Sequence, residues 1–136
     1  MRTNGFEIIH FSTVHLRNDV RIFTKECLSL AKAGFSVTLL APGDGTTSLV
    51  DGVTCRSVKV PRSRALRMTV GQLRMMAILF KVRGDLFHFH DPELMPTALA
   101  LRLMGRRVVF DSHEHIAKDL AEKSWLSGFG KRVVGL

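Results

Sequence analysis

The chain is short of several things, and each shortage narrows what it can be. No apolar run approaches the roughly 18 residues that make a bilayer-spanning helix, so no stretch reads as a membrane anchor. The start, Met-Arg-Thr-Asn-Gly, leads into a strand pattern and does not resemble a signal peptide. There are 2 cysteines, Cys27 in a helical pattern and Cys55 in a strand pattern, with no CxxC pair. That excludes a disulfide framework and a thiolate metal ribbon, and leaves two buried thiols in a reducing cytosol. No GxGxxG follows the first strand, which disfavours a dehydrogenase-type dinucleotide domain. No internal repeat and no low-complexity segment is present. Acidic residues are missing altogether between Gly52 and Gly84, where eight basic residues fall.

The composition that remains is that of one globular domain. Hydrophobic residues make up 46% and charged residues 24% of 136 positions, enough for a modest core. Lys and Arg number 20 against 12 Asp and Glu, giving +8 and a sequence pI near 10.3. Such a balance favours an anionic partner: a nucleotide, phospholipid headgroups or nucleic acid. For nucleic acid there is neither a base-stacking aromatic set nor a known motif.

Phe6 to Ser12 reads as a first strand, and Thr13 to Asp19 as a polar connection. Asp19 is the expected N-cap of a helix from Val20 to about Ala33, which Gly34 closes. Ser36 to Leu40 is a second strand, followed by a Pro-Gly-Asp-Gly loop. Val53 to Val58 is a third. Ser63 to about Lys81 is helical, with Leu66, Val70, Leu73, Ala77 and Phe80 as its apolar stripe. Arg67, Arg74 and Lys81 recur every seventh residue along one side, and Met68, Met75, Met76 and Leu79 widen the apolar face.

Two strand-and-cluster units follow. In Asp85-Leu86-Phe87-His88-Phe89-His90-Asp91-Pro92-Glu93, aromatic residues alternate with histidines, a strand period. Asp91 and Pro92 then fit the N-cap and first turn of a helix that runs to Gly105. Arg107 to Asp111 is the next strand, with Ser112-His113-Glu114-His115 after it. From Ile116 to Leu136 an amphipathic helical pattern continues, interrupted by Gly128, Gly130 and Gly135. The order β-α-β-β-α-β-α-β-α implies an α/β fold, a doubly wound and mostly parallel sheet with helices on both faces. Ligands of such sheets bind beyond the carboxyl ends of the strands. The chain stops without a closing strand, so it is expected to be part of something longer.

Three stretches carry a resemblance. Asn18-Asp19-Val20-Arg21 leading into Glu26-Cys-Leu-Ser-Leu-Ala-Lys-Ala-Gly-Phe-Ser-Val-Thr-Leu-Leu resembles the first helix and second strand of family 4 glycosyltransferases. Phe87-His-Phe-His-Asp-Pro-Glu-Leu and Gly105-Arg-Arg-Val-Val-Phe-Asp-Ser-His-Glu-His are similar to two later strands of that family, in the same order. The resemblance covers roughly Ile8 to His115 and implies the N-terminal, acceptor-side, Rossmann-like half of a GT-B fold, here residues 1–136. The donor-binding domain, with its Lys/Arg and paired glutamates, is absent from this sequence. The implied activity is transfer, with retention, of a sugar from a nucleotide-diphosphate sugar to a cell-envelope glycan or lipid-linked acceptor. It implies no cofactor and no metal. A complete enzyme would take its donor domain from a longer chain or a second chain, in the cytoplasm, peripheral to the inner face of the membrane.

The resemblance places His113 at a strand end facing the donor sugar, with Asp111 and Glu114 flanking it as orienting groups. Hydrogen-bond donors there suit a leaving diphosphate that gains negative charge. A histidine satisfied by backbone groups is the competing reading. Asp19, Arg21, His90 and Asp91 are the expected substrate-binding residues. Asp19 and Arg21 fit a helix N-terminus that attracts anions equally well as they fit a cap and a solvated cation. Asp91 is accounted for as an N-cap alone. His88 and His90 share a strand face, but a metal site needs a further ligand that sequence cannot place, so none is expected. Arg67, Arg74 and Lys81 are either a solvated face or a contact for an anionic membrane surface. The alternative to the enzyme is accordingly a non-catalytic α/β domain that docks on membranes or proteins.

Overall fold

The computed structural model describes residues 5–112. Six strands form one sheet in the order β3-β4-β2-β1-β5-β6. They are β1 (Glu7–Phe11), β2 (Ser36–Pro42), β3 (Thr47–Val50), β4 (Val53–Val58), β5 (Leu86–Phe89) and β6 (Val108–Phe110). All pairings are parallel except β3 with β4. The doubly wound, mostly parallel sheet is therefore the observed fold.

Three helical stretches cover the sheet. α1 occupies residues 20–32, wound with i→i+5 bonding over Val20–Cys27 and as ordinary α-helix over Leu28–Lys32. α2 occupies residues 64–81, and α3 is Met95–Leu103, entered through a 3₁₀ turn at Pro92–Leu94. Asp19 caps α1 as expected: its Oδ1 accepts from the backbone N–H groups of Arg21 and Ile22, 3.0 Å each. Gly34 and Gly105 end α1 and α3 at positive φ.

One strand is missing from the sequence reading. β3 pairs antiparallel with β4 through the two-residue turn Asp51-Gly52, with φ of 49° and 85°. Positive φ at both central residues is the turn geometry that tight hairpins need, and Asp-Gly is a favoured pair for it. The strand is four residues long and half exposed, so it carries little hydrophobic signal.

Alternation along β1 and β5 sends side chains to opposite faces. Ile9, Phe11, Phe87 and Phe89 join Leu40 and Val58 on one face, packed against Met75 and Leu79 of α2 and Leu94, Ala98 and Leu101 near and on α3. On the other face α1 packs Ile22 and Cys27 against Val37, Leu39, Ala41, Val53 and Cys55. Both thiols are buried and free.

The orientation of α2 corrects the expected stripe. Leu66, Val70, Leu73, Ala77 and Phe80 point outward, Leu73 being 67% exposed. The buried side is instead Gln72, Met75 and Leu79. Met75 and Leu79 thus belong to the core rather than to a greasy outer face. The Thr97 hydroxyl donates to the Gln72 side-chain carbonyl, satisfying a polar pair between α2 and α3. Among the described residues no helix is long and apolar enough to cross a membrane.

Candidate functional site at the strand ends

Because β1, β5 and β6 run parallel, their carboxyl ends open on the same edge of the sheet. The loop after β1 is folded by Ser12, whose Oγ accepts from the backbone N–H of His15 at 2.8 Å and of Val14 at 3.2 Å. The same hydroxyl donates to Asp91 Oδ2 at 2.7 Å, and the Thr13 N–H donates to that oxygen at 2.9 Å. Asp91 makes no side-chain cap to the helix it precedes. The expectation that capping explains Asp91 is corrected: its buried carboxylate ties the β5 end to the β1 loop.

His15 stands between two carboxylates. Its Nε2 lies 3.4 Å from Asp91 Oδ1 and its Nδ1 3.2 Å from Asp19 Oδ2. The imidazole is about one-third exposed, so its ring is oriented yet reachable from solvent. Asp19 is held below the ordinary carboxylate range, first by the Ile22 N–H and then by His15 and the Arg21 N–H.

Glu93 is gripped by Arg67 at two points, Nε to Oε1 at 2.6 Å and Nη2 to Oε2 at 3.2 Å, and by the Thr13 hydroxyl at 2.7 Å. Burial works to raise its pKa; the bonds from Arg67 and Thr13 outweigh that, and the net shift is downward. These groups line a cleft of about 380 Å³ bounded by Val14, His15, Arg21, Arg64, Arg67 and His90, with Asp91 to Glu93, Phe110 and Ser112 completing it.

Behind the cleft, under α1, three imidazoles stack. Ring centroids are 4.6 Å apart for His10 and His88 and 4.7 Å for His88 and His90. The register explains this: His10 pairs directly with His88 across β1 and β5, and His90 continues the same face. His10 Nδ1 and His90 Nε2 are 3.2 Å apart. Glu26 of α1 points into the group, and bonding to i+5 puts Arg21 on the same side of the helix, its Nε 4.0 Å from Glu26 Oε1. Burial pushes the His10 pKa down to about 3, reinforced by His88 and His90. Burial also pushes Glu26 up to about 7, helped by the adjacent Asp111 carboxyl and opposed by Arg21.

Of the expected site residues, Asp91, His90 and Arg21 line the cleft. Asp19 stands behind His15, and Asp111 lies 3.6 Å from His90 Nδ1. His113 and Glu114 lie outside the described residues, as does the helical pattern from Ile116 to Leu136. The three cations of α2 part company. Arg67 faces Glu93, Arg74 donates to the Lys59 carbonyl at 2.9 Å, and Lys81 is exposed at the helix end. Residues that the sequence reading missed are His10, His15, Glu26, Arg64 and Glu93. A histidine inside the otherwise apolar Ile8-Ile9-His10-Phe11 was the available signal for the first; the others have none without the register.

A family model for the glycosyl transferase 4-like domain matches residues 21–135. The chain belongs to that family, and its mostly parallel six-stranded sheet with helices is consistent with the Rossmann-like glycosyltransferase fold. Comparison with curated proteins gives no match.

Proposed function

We propose that this chain is the acceptor-side domain of a retaining glycosyltransferase that draws on a nucleotide-diphosphate sugar. The observation that carries the reading is the convergence of three parallel strand ends on one cleft with cations on its wall. Among the described residues Arg21 and Arg64 have no two-point carboxylate partner of the kind Arg67 has, Arg21 Nε being 4.0 Å from Glu26 Oε1, so they suit a diphosphate that gains charge as the glycosidic bond breaks. Arg67 is already neutralised by Glu93 and acts as a wall. His15, held at Nε2 by Asp91 and at Nδ1 by Asp19, forms part of the cleft wall against which a sugar or acceptor would lie. His113, next in sequence after cleft-lining Ser112, is the residue assigned to the donor sugar, with Asp111 and Glu114 beside it. A donor domain comes from a longer chain or a second chain, and the acceptor is a cell-envelope glycan or lipid-linked sugar. Transfer needs no cofactor.

Gently purified endogenous protein, analysed by native mass spectrometry and then assayed with nucleotide-diphosphate sugars, tests this. A species carrying a second Rossmann-like domain, and a product that keeps the donor's anomeric configuration, are expected. His113→Ala is expected to abolish transfer while the fold persists. An inverted product, or near-normal turnover in that variant, overturns the reading.

One observation favours docking on an anionic membrane as an additional or alternative role. Leu66, Met68, Val70, Leu73 and Phe80 are exposed along α2, within the stretch that has basic residues and no acidic ones. Leu73→Glu with Phe80→Glu is expected to release the protein from anionic vesicles; unchanged binding removes this role.

A further inference from the structure

Glu26 Oε2 is buried and, the neighbouring Asp111 carboxyl apart, has no hydrogen-bond donor against it among the described residues. It lies 3.6 Å from His90 Nε2 and 3.8 Å from His10 Nδ1, and those two nitrogens are 3.2 Å from each other. Separations of 3.6 and 3.8 Å are too long for hydrogen bonds. They are, however, the spacings of atoms that share a metal. A circle through three atoms so placed has a radius of about 2.1 Å, and zinc sits about 2.0–2.2 Å from imidazole nitrogen or carboxylate oxygen. A ring nitrogen of His88 lies within 4.8 Å of the other three atoms, and a turn of that ring toward them supplies the fourth ligand.

We infer that His10, His88, His90 and Glu26 form a closed site for a zinc-class divalent cation, which fastens β1 and β5 to α1. Three imidazoles and one carboxylate are the donor types such an ion takes, and four protein ligands leave no open position for substrate. The cation is therefore structural and stands apart from the proposed transfer chemistry. The outer shell fits as well. Asp111 Oδ2 lies 3.6 Å from His90 Nδ1, the ring nitrogen not offered to the ion, where a carboxylate orients a metal-bound imidazole. Arg21 faces Glu26 Oε1 and leaves Oε2 to the ion.

The test is titration of the full chain, stripped with a chelator, with zinc chloride by calorimetry, alongside cobalt(II) absorption and thermal unfolding. One zinc per chain is expected, with a visible cobalt spectrum of tetrahedral intensity and a rise in the unfolding midpoint that magnesium does not reproduce. Asp111→Asn is expected to weaken binding about 10–100-fold. Glu26→Gln, a half-buried change on α1 that keeps the side chain's shape, is expected to abolish the tetrahedral cobalt signal. This variant tests the site even where His10→Phe does not fold. Absence of stoichiometric zinc binding in the wild-type chain, or equal binding by wild type and Glu26→Gln, overturns the inference. An octahedral cobalt spectrum does so too.

Discussion

The two faces of the β1–β5 strand pair have the same backbone and opposite chemistry. On one face Phe11, Phe89 and Phe110 stack with centroids 5.6 and 4.7 Å apart, within or against an apolar cluster. On the other, one residue along each strand, His10, His88 and His90 stack at almost the same spacing beneath a helix that contributes a carboxylate. Both faces bury rings. The first derives its stability from removing apolar area from water; the second must satisfy nitrogens and charge, and gives the sheet edge its chemistry. A single strand period thus builds a core and a site back to back.

The sharpest break in that contrast is Phe89→Ala, which removes a 1% exposed ring from the dry face. It is expected to cost about 4 kcal/mol in urea unfolding. Next is Arg67→Met, which leaves the half-buried Glu93 with Thr13 as its one side-chain hydrogen-bond partner among the described residues. A loss of about 2 kcal/mol is expected, with the Glu93 titration moving upward by carboxyl NMR. On the wet face His10→Leu, measured with a chelator present, is expected to cost less than about 1.5 kcal/mol, because the imidazole has an unpartnered Nε2 and leucine is of similar size. A loss as large as that of Phe89→Ala would mean that the two faces are energetically alike.

Proton linkage separates the faces further. His10 titrates lower in the folded state, about 3 against a usual 6.5. The unfolded chain therefore binds the extra proton, and the stability His10 contributes is full above 6.5 and lost as pH falls toward 3. Glu26 is raised from 4.5 to about 7, so its contribution is full below 4.5 and lost as pH rises through 7. Between about 4.5 and 6.5 the two slopes oppose. In the same chelator, His10→Leu is expected to remove the acid-side loss, and Glu26→Gln the loss toward neutrality. Parallel pH profiles for wild type and both variants would contradict these assignments. The smallest effect is that of Leu73→Glu, within about 0.5 kcal/mol, because its 67% exposed side chain leaves the core untouched.

Much of this was readable in the residues. The Phe-His-Phe-His alternation fixed β5 as a strand with one aromatic and one imidazole face, and Asp19 announced the start of α1 through its capping chemistry. Gly34 and Gly105 marked helix ends. The phase of α2 was not readable, because Arg64 to Lys81 is apolar on most of its circumference and a helical period fits more than one stripe. Packing against Phe87 and Phe89 chose Met75 and Leu79 over Leu73 and Phe80. β3 was too short and too exposed to register.

Local periods of two and 3.6, together with caps, are enough to give the parallel strands, the helices between them and the polar character of three strand ends, though not β3. Which ends meet depends on how the elements pack. Pairing His10 with His88, bringing Glu26 over both, and clamping Glu93 with Arg67 depend on parallel register and helix orientation. Those are set by contacts between residues 16 to 80 positions apart, which no local pattern encodes.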